Sequence, residues 1–91
     1  MKLEDLRRQI DEIDEELVEV ISRRLSIMPE VAEIKRRGNV GIDQEGREKE
    51  VIENIRRKAE ERGMDPDFVE RIMIEIIGES KKIQQGGFVR K

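Results

Sequence analysis

The stretch LEDLRRQIDEIDEELVEVISRRLSIMPEVAEIKRR, from Leu3 to Arg37, decides how the rest of the chain is read. Its apolar residues advance by alternating three- and four-residue steps: Leu3, Leu6, Ile10, Ile13, Leu17 and Val20, then Ile27, Val31 and Ile34. Such stepping keeps one face of a helix apolar. Between Val20 and Ile27 the seam has room for one more apolar residue, and the chain supplies Arg24. Eleven residues further, on nearly the same face, stands Lys35. Pro29 also lies inside the run. In a helix interior proline removes a hydrogen bond and clashes with the preceding turn, at about 3 kcal/mol or more. Because Val31 and Ile34 stay in phase with the seam, the sequence predicts a kink rather than a break.

A continuous helix over residues 3–37 would be about 52 Å long. A compact domain of this chain's 91 residues has a radius of gyration of roughly 12 Å, hence a diameter near ~31 Å. The helix outruns its own domain, and its overhanging apolar stripe needs a second chain to cover it. An intertwined homodimer, or an assembly built from one, is therefore expected.

Composition agrees with long helices. Charged residues make up 45% and aromatics 2%, yet the apolar positions are strictly periodic, which disorder does not require. The net charge of −3 comes without a basic block, which argues against nucleic acid as a partner. The chain has no cysteine and no histidine, so neither a disulfide framework nor a zinc site is expected. No apolar signal-like segment opens the sequence and no run approaches the length of a membrane span. The expected location is the cytoplasm. The excess of Glu, Lys and Arg leans towards a thermophilic source.

After Gly38, where a left-handed cap is expected, a short loop leads to a second helix over about residues 44–62. Its stripe of Ile52, Ile55 and Ala59 projects backwards onto Glu48 and Gln44, with Arg47 beside them. Asp65 and Pro66 then form a helix start, the aspartate as N-cap and the proline at the first helical position. This third helix runs over about residues 66–85, and its stripe of Val69, Met73 and Ile76 continues into Ser80 and Gln84. One all-α domain over residues 1–85 is predicted, followed by a loose tail over 86–91.

Each helix thus places polar side chains where its buried face predicts apolar ones. Singly, each has an ordinary explanation: Arg24 can snorkel, Lys35 complements a helix C-terminus, and Ser80 and Gln84 can mark a stripe emerging into water. Together they would line the interior of a helical assembly with three cations, one carboxylate, one hydroxyl and one amide. Burying that many cations requires anions, and one glutamate does not suffice. The site calls for an anionic ligand. It contains no activated nucleophile and no tuned acid–base pair, so it suits a reaction that needs positioning and electrostatics alone.

These residues carry a resemblance. From Leu6 to Gln85 the chain resembles the small all-helical chorismate mutases of the AroQ class. The matching segments are Leu6-Arg7, Ile10 to Asp14 with Glu15, Arg23-Arg24, Lys35, Arg47-Glu48, and Ser80 through Gln84-Gln85. The resemblance implies a domain-entwined dimer of three-helix chains that converts chorismate to prephenate by an intramolecular Claisen rearrangement, without a cofactor. It implies that Lys35, Gln84, Arg24 and Glu48 are catalytic. Lys35 and Gln84 would reach the breaking ether oxygen, Glu48 would accept the ring hydroxyl, and Arg24 and Arg47 would anchor the dianion. Ser80 would assist at a carboxylate and Val31 would pack on the ligand; Gln44 stands where the family often has an aspartate, so a contact made there by the backbone would survive and one made by the carboxylate would not. Arg7 would enter from the partner chain, in keeping with its pointing about 100° away from Arg24 on a straight helix. An isochorismate-pyruvate lyase, or a helical module that binds a pathway metabolite without turning it over, stands as the alternative reading.

Overall fold

The computed structural model describes residues 1–87, and the fold is all-α: α1 (Leu3–Ser26), α2 (Met28–Arg37), α3 (Glu45–Glu61) and α4 (Pro66–Gln84). The anticipated tail lies, from Phe88 onward, outside the described residues. The first two segments are the long N-terminal helix with its kink. Only Ile27 separates them, and its φ of −89° and ψ of −6° stay on the right-handed helical side. The Val31 N–H still reaches the Ile27 carbonyl at 3.1 Å, so the helical path continues through the joint. Pro29 falls at the start of α2, where a missing N–H is tolerated. The kink therefore precedes the proline by a fraction of a turn.

The end of α2 departs from the sequence reading. Gly38 keeps a φ of −84°, and it is Asn39, at φ +56°, that takes the left-handed conformation. Asparagine tolerates that region better than other side chains, and the shift lets the Val40 N–H bond the Lys35 carbonyl at 2.7 Å. The reversal after α2 is one residue longer than a glycine cap would make it.

At the other helix ends the local chemistry is as the residues predict. Gly63, at φ +68°, closes α3. The Asp65 carboxylate accepts the Asp67 N–H at 2.9 Å and Pro66 opens α4. Gly86, at φ +91°, lets the chain turn so that the Gly87 N–H reaches back to the Lys82 carbonyl at 2.7 Å. That closure holds the last turn of α4, the turn that carries Gln84.

The short connection over residues 62–65 folds α3 back along α4, and Arg56 of α3 bridges Asp67 and Glu70 of α4 at 2.9 Å each. Helix α4 is the hub, packing against each of the other three segments, whereas α1 has no packing contact with α3. The apolar core of a single chain is correspondingly small: Met28, Ala59 and Ile83 are buried, with the polar Ser80 among them. From Leu6 to Val20 every residue of α1 is exposed. The molecule extends 55 Å along its longest axis and its radius of gyration is 16.2 Å. It exposes 7597 Å², against roughly 5,500 Å² for a compact monomer of its mass. No helix among the described residues is long and apolar enough to cross a membrane.

The Asp65 cap gives a direct test of this local reading. Asp65→Ala should destabilise the protein by about 1 kcal/mol. At fixed protein concentration this lowers the urea midpoint without changing the slope. An unaltered midpoint would show that the cap contributes nothing.

Candidate active site

Where the kinked helix passes α4, two cations leave the apolar seam and meet polar groups. Arg24, near the end of α1, donates from Nη1 to Ser80 Oγ at 2.7 Å. Lys35, about two turns into α2, donates from Nζ to Gln84 Oε1 at 2.8 Å and to the Ile42 carbonyl at 3.1 Å. Ser80 in turn donates to the Ile76 carbonyl at 2.8 Å, which orients its oxygen as an acceptor for Arg24. The spacing explains the match. Ser80 and Gln84 lie one turn apart on α4, and Arg24 and Lys35 lie about three turns apart across the kink, so the long cationic side chains converge on one end of α4.

Both cations are half-buried, and neither makes an ion pair among the described residues. Their partners are a hydroxyl, an amide oxygen and a backbone carbonyl. Charge so placed is hydrogen-bonded but not neutralised.

A cleft of about 560 Å³ opens beside these contacts. Arg24, Val31 and Lys35 line it from the kinked helix, Gln44, Arg47 and Glu48 from the start of α3, and Ser80 and Gln84 from α4. Eight of the nine residues anticipated for the site thus share one hollow. Arg47 stands at its rim, largely exposed, with its guanidinium on Glu50 one turn along. Surface pairs of this kind contribute little, so the guanidinium is available to a stronger anion. The Gln84 Nε2 faces the Met28 sulfur at 3.6 Å, a weak acceptor that an oxygen-bearing ligand would displace.

Arg7 is the exception. It lies exposed near the start of α1, paired with Glu4 at 2.9 Å. Arg24 lies seventeen positions further along the uninterrupted helix, about 25 Å along the axis. No arginine side chain spans that distance, so within one chain Arg7 and the cleft do not meet.

Lys81 is a wall residue that the sequence reading passed over. Its ammonium lies 2.9 Å from Glu48 Oε1 and 3.0 Å from Asp43 Oδ1. The hydrogen bonds it donates to Glu48 and then Asp43 outweigh the pull of burial and hold its pKa above the ordinary lysine value. A signal was available: Lys81 stands three residues before Gln84, on the adjoining helical face. The apolar lining, Ile27, Met28, Ile42, Val51 and Ile77, was also only partly anticipated.

Chemically, the cleft can bind an anion of more than one charge, orient it against an apolar wall and donate to an oxygen on which charge develops. Ser80 has no base beside it to make it a nucleophile; its hydroxyl is committed to Arg24 and Ile76.

Comparison with known proteins places this arrangement in a lineage. Residues 6–85 match the family described as chorismate mutase type II. The chain is 33% identical over 84 residues to a chorismate mutase of Methanocaldococcus jannaschii, an alignment covering 92% of this chain and 85% of that protein. It is 34% identical over 79 residues to the T-protein of Enterobacter agglomerans, covering 87% of this chain but 21% of that one. The bifunctional chorismate mutase/prephenate dehydratase of Aquifex aeolicus is 38% identical over 56 residues, or 62% of this chain and 16% of its own. The chain thus spans most of the first relative and about a fifth or less of the two longer ones. With a match that begins at Leu6, ends at Gln85 and takes in every polar residue of the cleft, this chain belongs to the chorismate mutase type II family.

Proposed function

We propose that the cleft converts chorismate to prephenate, an isomerisation in which the ether C–O bond breaks as a C–C bond forms within one molecule. No proton, electron or group leaves the substrate, so the protein has only to select the reactive conformer and stabilise charge on the ether oxygen. The observation that carries this reading is the pair Arg24 and Lys35, held half-buried on neutral partners. They present fixed positive charge that no carboxylate among the described residues pairs, which suits a dianion.

Within this reading Arg24 and Arg47 take the substrate carboxylates, with Ser80 supporting the first. Lys35 and the Gln84 amide donate to the ether oxygen, where negative charge grows in the transition state. Gln84 needs no protonation to donate, so that contact does not depend on pH. Glu48 accepts the ring hydroxyl, Val31 packs on the ring, and the Gln44 backbone borders the entrance.

The working unit in this proposal is an intertwined homodimer. Its support is the exposed seam of Ile10, Ile13 and Leu17, each more than half exposed, together with the distance that separates Arg7 from its own cleft. Packing the seams of two chains together would cover that apolar surface and carry each Arg7 towards the partner's cleft.

Two experiments test the reading. Purified protein incubated with chorismate should yield prephenate, identified by proton NMR, at a rate well above that in buffer. Arg24→Leu should leave the thermal midpoint unchanged or higher, yet lower kcat/KM by about a hundredfold or more. Chorismate lost to another product would redirect the assignment to a different reaction, and full turnover by Arg24→Leu would remove that residue from the site. Arg7 is tested by mixing. Arg7→Ala and Arg24→Leu chains, each nearly inactive alone, should regain about one quarter of wild-type activity when unfolded together and refolded at equal amounts. Half the dimers are then mixed, and each mixed dimer has one intact site. No recovery would place Arg7 outside the partner's site.

A further inference from the structure

Lys81 is the cation of the cleft to which the proposed reaction assigns no role. Arg24 and Lys35 rest on neutral acceptors, whereas Lys81 is matched by two carboxylates, Glu48 Oε1 at 2.9 Å and Asp43 Oδ1 at 3.0 Å. The three groups come from three places: the last turns of α4, the first turn of α3, and the loop before it. Lys81 and Glu48 are both shielded, with side chains 31% and 30% exposed, while Asp43 is 71% exposed. This is unlike the other ion pair at the cleft, Arg47 with Glu50, which joins two exposed side chains one turn apart on a single helix.

We propose that Lys81 is a positioning residue: it fixes the Glu48 carboxylate in the cleft wall so that the oxygen left over meets the substrate hydroxyl. The inference rests on the mutase reading and deepens it. An ammonium has three N–H groups, and two of them are satisfied by the carboxylates. A carboxylate has two oxygens, and Lys81 takes only Oε1 of Glu48, leaving Oε2 for a ligand. Because both carboxylates reach one nitrogen, they stand within about 6 Å of each other, close enough to repel when the cation is removed. Without Lys81 the first turn of α3 and the loop before it lose this ionic link to α4, and Glu48 gains rotamers that point away from the ligand. With its charge already met twice over, Lys81 has little left to offer a substrate carboxylate. Its influence on the reaction passes through Glu48.

The test is a double-mutant cycle on turnover of chorismate by the dimeric enzyme. Lys81→Met should lower kcat/KM about tenfold, and Lys81→Arg, which keeps a cation within reach of Glu48, should recover to within about threefold of wild type. In a Glu48→Gln background, where there is no carboxylate to hold, Lys81→Met should cost less than about twofold. A purely structural lysine would lower activity equally in both backgrounds. So would a lysine that binds substrate directly, and either result overturns the proposal, as does an undiminished Lys81→Met enzyme. Thermal midpoints accompany each variant, and Lys81→Gln, polar and compatible with a helix, carries the same expectation should the methionine variant fold poorly. Failure of the mutase reading looks different: the unmodified enzyme itself would form no prephenate.

Discussion

Arg24 and Lys35 are held by groups that carry no charge, and much of the molecule is arranged to keep them so. Ser80, Gln84 and the Ile42 carbonyl supply hydrogen bonds that make half-burial of two cations tolerable without cancelling their field. Had carboxylates stood at those places, the cleft would be self-neutralised and indifferent to an anion. The supporting structure follows from this requirement. The joint at Ile27 sets the relative direction of the two cations, the Gly86 closure fixes the turn that holds Gln84, and the longer reversal through Asn39 delivers the Ile42 carbonyl to Lys35. The carboxylate that does line the wall, Glu48, is paired with Lys81, and Arg24 and Lys35 make no ion pair among the described residues.

Much of this was legible in the chain because helices are periodic and capping is local. A seam that steps by three and four announces a helix, and polar residues on that seam announce where the helix stops being mere core. Register put Arg24, Lys35, Glu48, Ser80 and Gln84 on the inner faces of their helices, and the structure gathers them around one hollow. Asp65 with Pro66 marked a helix start through chemistry confined to three residues. At Gly38 the same local reasoning failed: glycine is the cheapest left-handed residue, yet the neighbouring asparagine took the conformation because the turn needed one residue more. The roles of the site residues are another matter. Position on a face says which groups can meet a ligand, not which bond each one serves.

What escaped the sequence is non-local. Lys81 is one lysine among many until the fold brings it to Glu48 and Asp43, 33 and 38 residues earlier in the chain. No period links such positions. The extent of the core is non-local too: the α1 seam outruns its own chain, and among the described residues of a single chain the buried apolar side chains are Met28, Ala59 and Ile83. A stripe identifies a surface that wants covering but not the chain that covers it. Here a single chain exposes about 2,000 Å² more than a compact monomer would, an excess of the size obligate interfaces bury.

The naked stripe of α1 has a consequence for how this protein is made. During synthesis α1 leaves the ribosome before α4 exists, and its apolar face finds no partner in its own chain until later, and then only at one end. An exposed oily helix is an invitation to aggregate. The other faces of α1 answer this with Asp11, Glu12, Asp14, Glu15, Glu16 and Glu19, and no cation occurs between Arg8 and Arg23. Nascent chains emerging side by side therefore repel through the middle of α1 while their seams remain unpaired.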